Sequence, residues 1–331
     1  MKFFNTLDEL RTHINITAAN KLESFNGANE YAINEHLVKW LGQSFLDEAL
    51  TKYNASSSDT IWTTIFPLIQ ATLSNFMLVH QIPIQQVTIE SSGITRKENA
   101  NFKSAYQNQI NQLIAEHFER AYNHLETLLA FLEENDSDYP TWTSSTAYSK
   151  NKSFFINDAN DFQNQYPIIR GRITFKALFS TMKDVESLYI KVILGTAFYN
   201  ELKGKILAKT AFSAKEVELV SMLKKAIAFH TIENAVQSNW IKVTQNSVVY
   251  ISHDKDTNHM LESSAQQVQA SNKINHAREF GERWIGQALA FIKSNLDDFP
   301  TFKADETVNP PTETENGCAI EIKKPTSFFS V

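Results

Sequence analysis

Four groups of side chains in this sequence have types and spacings that could do chemistry. His117 and His124 lie seven residues apart, with Glu116 and Glu119 between or beside them. On a helix that spacing puts both imidazoles on one face, where they could ligate a metal. The corresponding stretch further on offers His276 and Ala277 and no matching pair, which favours polar residues on a half-exposed helix. The run His253-Asp-Lys-Asp-Thr-Asn-His259 packs four potential oxygen or nitrogen ligands into a short loop, and a solvated polar turn looks the same. Glu48 and Glu201 recur in similar surroundings. General acid–base work needs a second titratable group beside each, and with none identifiable they read as a helix-face ion pair or cap. Arg170-Gly-Arg172 is a compact basic cluster, suited to a phosphate contact or to a solvated linker. The sequence contains no G-x-x-x-x-G-K-S/T, G-x-G-x-x-G, H-E-x-x-H or G-x-S-x-G, so the common nucleotide loops, the zincin helix and the nucleophile elbow are missing. No catalytic, cofactor or metal site is expected, and no enzymatic activity.

The elements that carry these residues are written twice. Leu129-Ala-Phe-Leu-Glu-Glu-Asn-Asp-Ser-Asp-Tyr-Pro-Thr-Trp142 matches Leu289-Ala-Phe-Ile-Lys-Ser-Asn-Leu-Asp-Asp-Phe-Pro-Thr-Phe302 at seven of fourteen positions. Leu41-Gly-Gln-Ser-Phe-Leu-Asp-Glu48 matches Leu194-Gly-Thr-Ala-Phe-Tyr-Asn-Glu201, and Ile84-Gln-Gln-Val-Thr88 matches Trp240-Ile-Lys-Val-Thr244. The three offsets, 160, 153 and 156, increase in chain order, as they do in a tandem duplication with loop insertions. The shared Asp-aromatic-Pro-Thr-aromatic ending is not a helix pattern, so amphipathic similarity alone does not produce it. The expected organisation is a helical repeat over 1–150, a second over 151–303, and an extended or flexible tail over 304–331.

Composition agrees with helices. Gly is 9 and Pro 8 of 331 residues, about half their usual shares, and tight turns with positive φ lean on Gly. Each copy is read as a Phe-Phe pair (Phe3-Phe4, Phe154-Phe155), a short segment (Leu7–Ile14, Asp161–Ile169), and a helix with the Leu-Gly-x-x-Phe-x-x-Glu signature. That helix aligns Ala32, Leu37, Leu41, Phe45 and Ala49 in the first copy and Leu188, Val192, Ile193, Phe198 and Leu202 in the second, bending or ending near Gly42 and Gly195. A core helix follows (Ile61–His80, Val217–Val236), with Pro67 expected to bend it or restart it. Next come a small β element (Ile84–Ile89, Ile241–Ile251, the latter a hairpin around Gln245-Asn246-Ser247) and a long C-terminal helix (Phe102–Glu134, Met260–Ser294). The fold class is therefore mainly α, two tandem helical units each with a small β element and a long last helix, plus a tail.

Charge and targeting narrow the function. With 31 Lys+Arg against 37 Asp+Glu the net charge is −6, which disfavours wrapping of nucleic acid. The single Cys318 excludes an intrachain disulfide framework and fits a reducing compartment. Met1-Lys2-Phe3-Phe4-Asn5 runs directly into a charged segment, so no secretory leader is expected, nor any membrane span. The candidates for partner contact are Arg170 and Arg172, the aromatics Tyr139, Trp142, Phe299 and Phe302, and the apolar tail residues Ala319, Ile320 and Ile322. The tail residues could add as a strand to a neighbour's sheet edge.

The N-terminal Phe4-Asn-Thr-Leu-Asp-Glu-Leu10, the Leu-Gly-x-x-Phe-x-x-Glu helix, the helix–β–long-helix order and the Asp-Tyr-Pro-Thr-Trp ending together resemble phage and prophage head–tail connectors, also called adaptor or head-completion proteins. The resemblance covers both copies, about residues 1–303. It implies a non-enzymatic virion protein forming an oligomeric ring at the portal vertex. Its partners would be the portal protein, tail or neck proteins and further copies of itself, with DNA contact only in a channel lining. It implies assembly in the host cytoplasm and residence in the virion. Two copies in one chain depart from the family's single unit, so one chain could fill two ring positions. The alternative is an intracellular helical interaction or regulatory scaffold.

Overall fold

The computed structural model describes residues 2–17, 20–85, 87–90, 93–96, 106–149, 152–238, 241–243, 248–250 and 264–302. They are mainly helical and form two units with one core each. The first unit comprises α1 (Leu7–Arg11), a 3-10 turn Leu22–Phe25, α2 (Asn26–Ala32), a π-helical turn Ile33–Leu37, α3 (Val38–Leu41), α4 (Gln43–Asn54) and α5 (Thr60–Gln85). An antiparallel ribbon, β1 (Val87–Glu90) with β2 (Gly93–Arg96), precedes α6 (Gln107–Glu134), α7 (Pro140–Thr143) and α8 (Thr146–Ser149). The second unit runs α9 (Ala159–Gln165), α10 (Gly171–Ala177), α11 (Phe179–Val185), a π-helical turn Glu186–Ile190, α12 (Lys191–Leu194), α13 (Thr196–Leu207) and α14 (Ala214–Gln237). β3 (Ile241–Val243) pairs with β4 (Val248–Tyr250), and α15 (Ser264–Ser294) closes the unit.

The repeat is exact where it is least expected. Both π turns, the short helices after them, and Gly42 and Gly195 recur at an offset of 153. The two glycines have φ 83 and 74 with ψ 147 and 157, a region essentially closed to residues with a Cβ, and there each first helix stops and the next begins. The π turn widens one helical step to five residues. Hence Ala32 and Leu37, five apart, face the same core as Leu41, Phe45 and Ala49, all buried. In the second unit the same spacing buries Val185, Ile190, Leu194, Phe198 and Leu202. The expected face of Leu188 and Val192 is therefore wrong: they are 68% and 73% exposed, because a regular period carried across the π turn misplaces them.

α5 continues from Thr60 through Pro67 and Pro83 to Gln85, so Pro67 does not restart the helix and Ile84 is helical, outside the ribbon. Pro67 sits in the helix's second turn on the exposed side. By length and composition α5 could cross a membrane, yet 72% of its most apolar window is buried inside the protein, where it lies along α6 as a core helix. α6 starts at Gln107, later than the expected Phe102, and spans about 42 Å. The expected tail, the loop 253–259 and the Gln245–Ser247 turn lie outside the described residues.

Candidate functional site

Arg170-Gly-Arg172 is not a solvated linker; it forms the junction between the units. Arg170 is held at φ 50 as the cap before α10, and a Cβ on Gly171 would meet the Gln163 amide at 2.7 Å. This tight turn aims the first N–H groups of α10 across the junction at Glu126 on α6. The backbone N–H of Arg172 donates to Glu126 Oε2 at 3.1 Å and that of Ile173 to Oε1 at 2.8 Å. A carboxylate thus satisfies orphan donors of a helix start from the other unit. Arg172 Nε donates to Glu133 at 2.7 Å, and its side chain is 18% exposed. The Arg170 guanidinium sits 5.4 Å over the Tyr122 ring and 3.9 Å from Glu119. Lys176 donates to the Lys39 carbonyl at 2.8 Å and covers the Trp40 ring. Ile173 is buried in the core of the first unit, contributing about 1.5–3 kcal/mol. Burial raises the pKa of Glu126 against the two N–H groups and Arg172, and raises that of Glu133 against Arg172.

Beside this junction lies a cavity of about 290 Å³, lined among others by Trp40, Trp142, Tyr148, Arg172, Lys176 and Phe179. The indole N–H groups of Trp40 and Trp142 are buried without a hydrogen-bond partner. Burial, reinforced by Asp136, pushes the Tyr148 hydroxyl up to about 12, so it stays a neutral donor to that carboxylate at 3.0 Å. Of the charged groups that line it, Glu133 pairs with Arg172, Asp136 accepts from Tyr148, Asp158 caps α9 and Lys176 donates to the Lys39 carbonyl. What the arrangement does is fix one unit on the other.

Each core also holds a polar cluster at its π turn. In the first unit His36 stacks on Phe76 with centroids 4.1 Å apart, and its Nε2 lies 2.9 Å from His80 Nε2. One ring must donate to the other, and His36 Nδ1 has no partner. Burial, with His80 and Lys39 nearby, drives His36 down to about 3. In the second unit Tyr189 replaces His36 and stacks on His230, which contacts Glu233 at 2.9 Å; Arg278 donates to Glu233 at 2.6 Å. Burial opposes ionisation of Glu233, but the His230 and Arg278 hydrogen bonds outweigh it and lower its pKa. Neither cluster stood out in the sequence; the only signal was a histidine at one copy's π turn opposite a tyrosine in the other.

The remaining candidates sort by burial. Tyr139, Trp142, Phe299 and Phe302 are 2%, 3%, 1% and 8% exposed, so they are core residues and not an open contact surface. The proline helix start turns each pair back onto its unit, where Phe299 and Phe302 ring Phe198. Glu48 accepts a hydrogen bond from Thr141, tying the post-helix segment to α4, and Glu201 pairs with Lys205 at 3.4 Å. His117 is buried, bonded through Nδ1 to Asn75 at 2.8 Å, and is not half-exposed. Among the described residues no three His, Cys, Asp or Glu side chains stand close enough to hold a metal. His253–His259, Ala319, Ile320 and Ile322 lie outside them.

Fold and junction together define a class: a tandem protein in which one helical unit, repeated, is docked on its own copy. The family of unknown function DUF6712 matches residues 33–152 and again 190–312. The chain belongs to that family, once per unit. No curated protein and no solved structure matches it.

Proposed function

We propose that the chain is a non-enzymatic virion structural protein that joins head to tail as an oligomeric ring at the portal vertex. The observation that supports this most is the junction, where unlike faces of one unit meet, α6 on one side and α10 on the other. Unlike faces that join in series are what a ring needs. The sequence resemblance to connectors adds the portal vertex. In this reading each unit carries a small β element between its core helix and long last helix, and 304–331 is an arm that grips a neighbour. The partners are portal and tail or neck proteins, DNA contact is confined to a channel lining, and the protein assembles in the host cytoplasm before entering the virion.

Immunogold labelling of virions, with native mass spectrometry of the protein alone and with portal protein, tests it. Label at the portal vertex and ring-sized masses are expected; unlabelled virions and a strict monomer with portal present refute it. The alternative, an intracellular interaction or regulatory scaffold, is favoured by the same unlike-face docking if neighbouring genes encode no portal, terminase or capsid protein.

A further inference from the structure

The geometry points to a second copy of this chain as the occupant of an exposed stripe on α15, an inference that rests on the ring reading above. In the first unit the face that receives α10 is a stripe of α6, Tyr122, Glu126, Leu129 and Glu133, with Trp40 at its edge. Tyr122, Leu129 and Trp40 are 5–6% exposed under that cover. The ends of α6 and α15 are offset by 160, which places Glu282, Gly286, Leu289 and Lys293 on the same stripe of the second unit. There Glu282, Gly286 and Lys293 are exposed and Leu289 only half-buried. At the edge the 153 offset puts Ile193 in the place of Trp40, half-buried, and Val192 beside it, 73% exposed and apolar. The second unit thus presents, uncovered, the seat that its own α10 fills on the first.

The matching plug lies at the other end of the chain. Carried back from the π turns, the 153 offset takes Arg170, Ile173 and Lys176 to Thr17, Asn20 and Glu23; Thr17 and Glu23 are exposed, and the described counterpart of α10 is the 3-10 turn Leu22–Phe25. Charge follows. Within the chain acids sit on the seat (Glu126, Glu133) and bases on the plug (Arg170, Arg172, Lys176). On the uncovered pair Lys293 replaces Glu133 and Glu23 replaces Lys176. Across the filled junction Arg172 pairs with Glu133, so Lys293 in that place disfavours the Arg172 plug and turns the seat away from the chain's own α10. Repeating the junction from chain to chain is heterologous and propagates until it closes.

The full-length protein tests this by mass photometry across concentration and by cysteine cross-linking. Gly286→Arg is the primary variant: a Cβ there meets nothing within 4 Å, and arginine is the better helix former, so lost association is not lost folding. It raises the dissociation constant about tenfold or more, and Val192→Glu does likewise. With Cys318→Ser, the pair Asn20→Cys and Gly286→Cys yields an oxidised ladder of multimers, whereas Gly286→Cys alone yields none. Association unmoved by Gly286→Arg overturns the assignment, as does a chain monomeric at every concentration. So do covalent dimers from Gly286→Cys alone, or an intrachain bond from Gly286→Cys to native Cys318, which would seat the tail there. A ladder from a protein missing from the portal vertex keeps this interface and removes the connector reading; portal label with no ladder does the reverse.

Discussion

His36→Phe separates the acid sensitivity of the first unit from the rest of the protein. In the folded chain His36 is 6% exposed, with a pKa near 3 because burial disfavours the imidazolium and His80 and Lys39 repel it. Unfolded, it titrates near its ordinary 6.5. The unfolded state therefore takes up a proton first, so stability is intact above about pH 6.5 and is lost as pH falls from there towards 3. At 1.36 kcal/mol per pKa unit, this one group removes about 2–3 kcal/mol between pH 7.5 and 4.5. Phe keeps the stack on Phe76, as Tyr189 keeps the one on His230. It also deletes the unpartnered Nδ1, so the cost at neutral pH is small. The released His80 is only half-buried and can turn to water. Urea titrations of both proteins at pH 7.5 and 4.5 give the double difference. The variant should lose about 2–3 kcal/mol less than the parent over that interval. Equal losses would show that His36 ionises freely in the folded chain and refute the reasoning.

Arg172→Ala leaves Glu133 without its near partner and removes a mostly buried cation from Glu126. It should cost about 2–4 kcal/mol and split one calorimetric transition into two as the units uncouple. Gly42→Ala and Gly195→Ala force a Cβ into the glycine-only region, and at Gly42 place it 3.0 Å from Ser145 Cβ. Each should cost about 1–3 kcal/mol in chemical denaturation, and an unchanged midpoint would contradict the break at those residues. Gly281→Ala puts a methyl 2.7 Å from His230 Nε2. A loss of about 1–3 kcal/mol is expected in chemical denaturation, and an unchanged midpoint would contradict the close approach of the two helices there.

Much of the architecture was legible because duplication amplifies weak signals: Asp-Tyr-Pro-Thr-Trp142 is unremarkable once and decisive beside Asp-Phe-Pro-Thr-Phe302. Helix content followed from scarce glycine and sustained apolar periods. The π turns were not legible, since a single five-residue step looks like a lapse in pattern; that is how Leu188 and Val192 came to stand for Val185 and Ile190. Had the first copy's Ala32–Leu37 step been carried over at offset 153, the second register would have come out right. The junction was half legible. Arg170-Gly-Arg172 announced charge, but its acids, Glu126 and Glu133, are about forty residues upstream on a helix. Only the fold brings them together. Pro67 misled because it lies on the exposed side of α5, where the Thr63 carbonyl that it leaves without a donor can meet water, and the buried face beyond it carries the helix on.

The two units keep the same helices while distributing polar groups differently, and this divides their response to acid. A stacked ring pair at the π turn is common to both, but the imidazole is on the turn in one and on the core helix in the other. Once His230 occupies the core helix, Glu233 replaces Val79, Arg278 replaces Phe118 and Gly281 replaces Ala121, giving the imidazole a partner and room. His13, His36, His80, His117 and His124, all in the first unit, have pKa values lowered chiefly by burial. Each withdraws stability as pH falls below 6.5. In the second unit the lowered carboxylates are Glu216 and Glu233, whose contribution persists until pH falls below their ordinary 4.5. Glu126 and Glu133, raised by burial, act in the opposite sense and hold the junction as acid approaches their range. Between pH 6.5 and 4.5 these five histidines therefore weaken the first unit, while Glu216, Glu233, Glu126 and Glu133 withdraw nothing. The half of the chain in which those five histidines withdraw stability in mild acid is the half that bears Asn20 and Glu23.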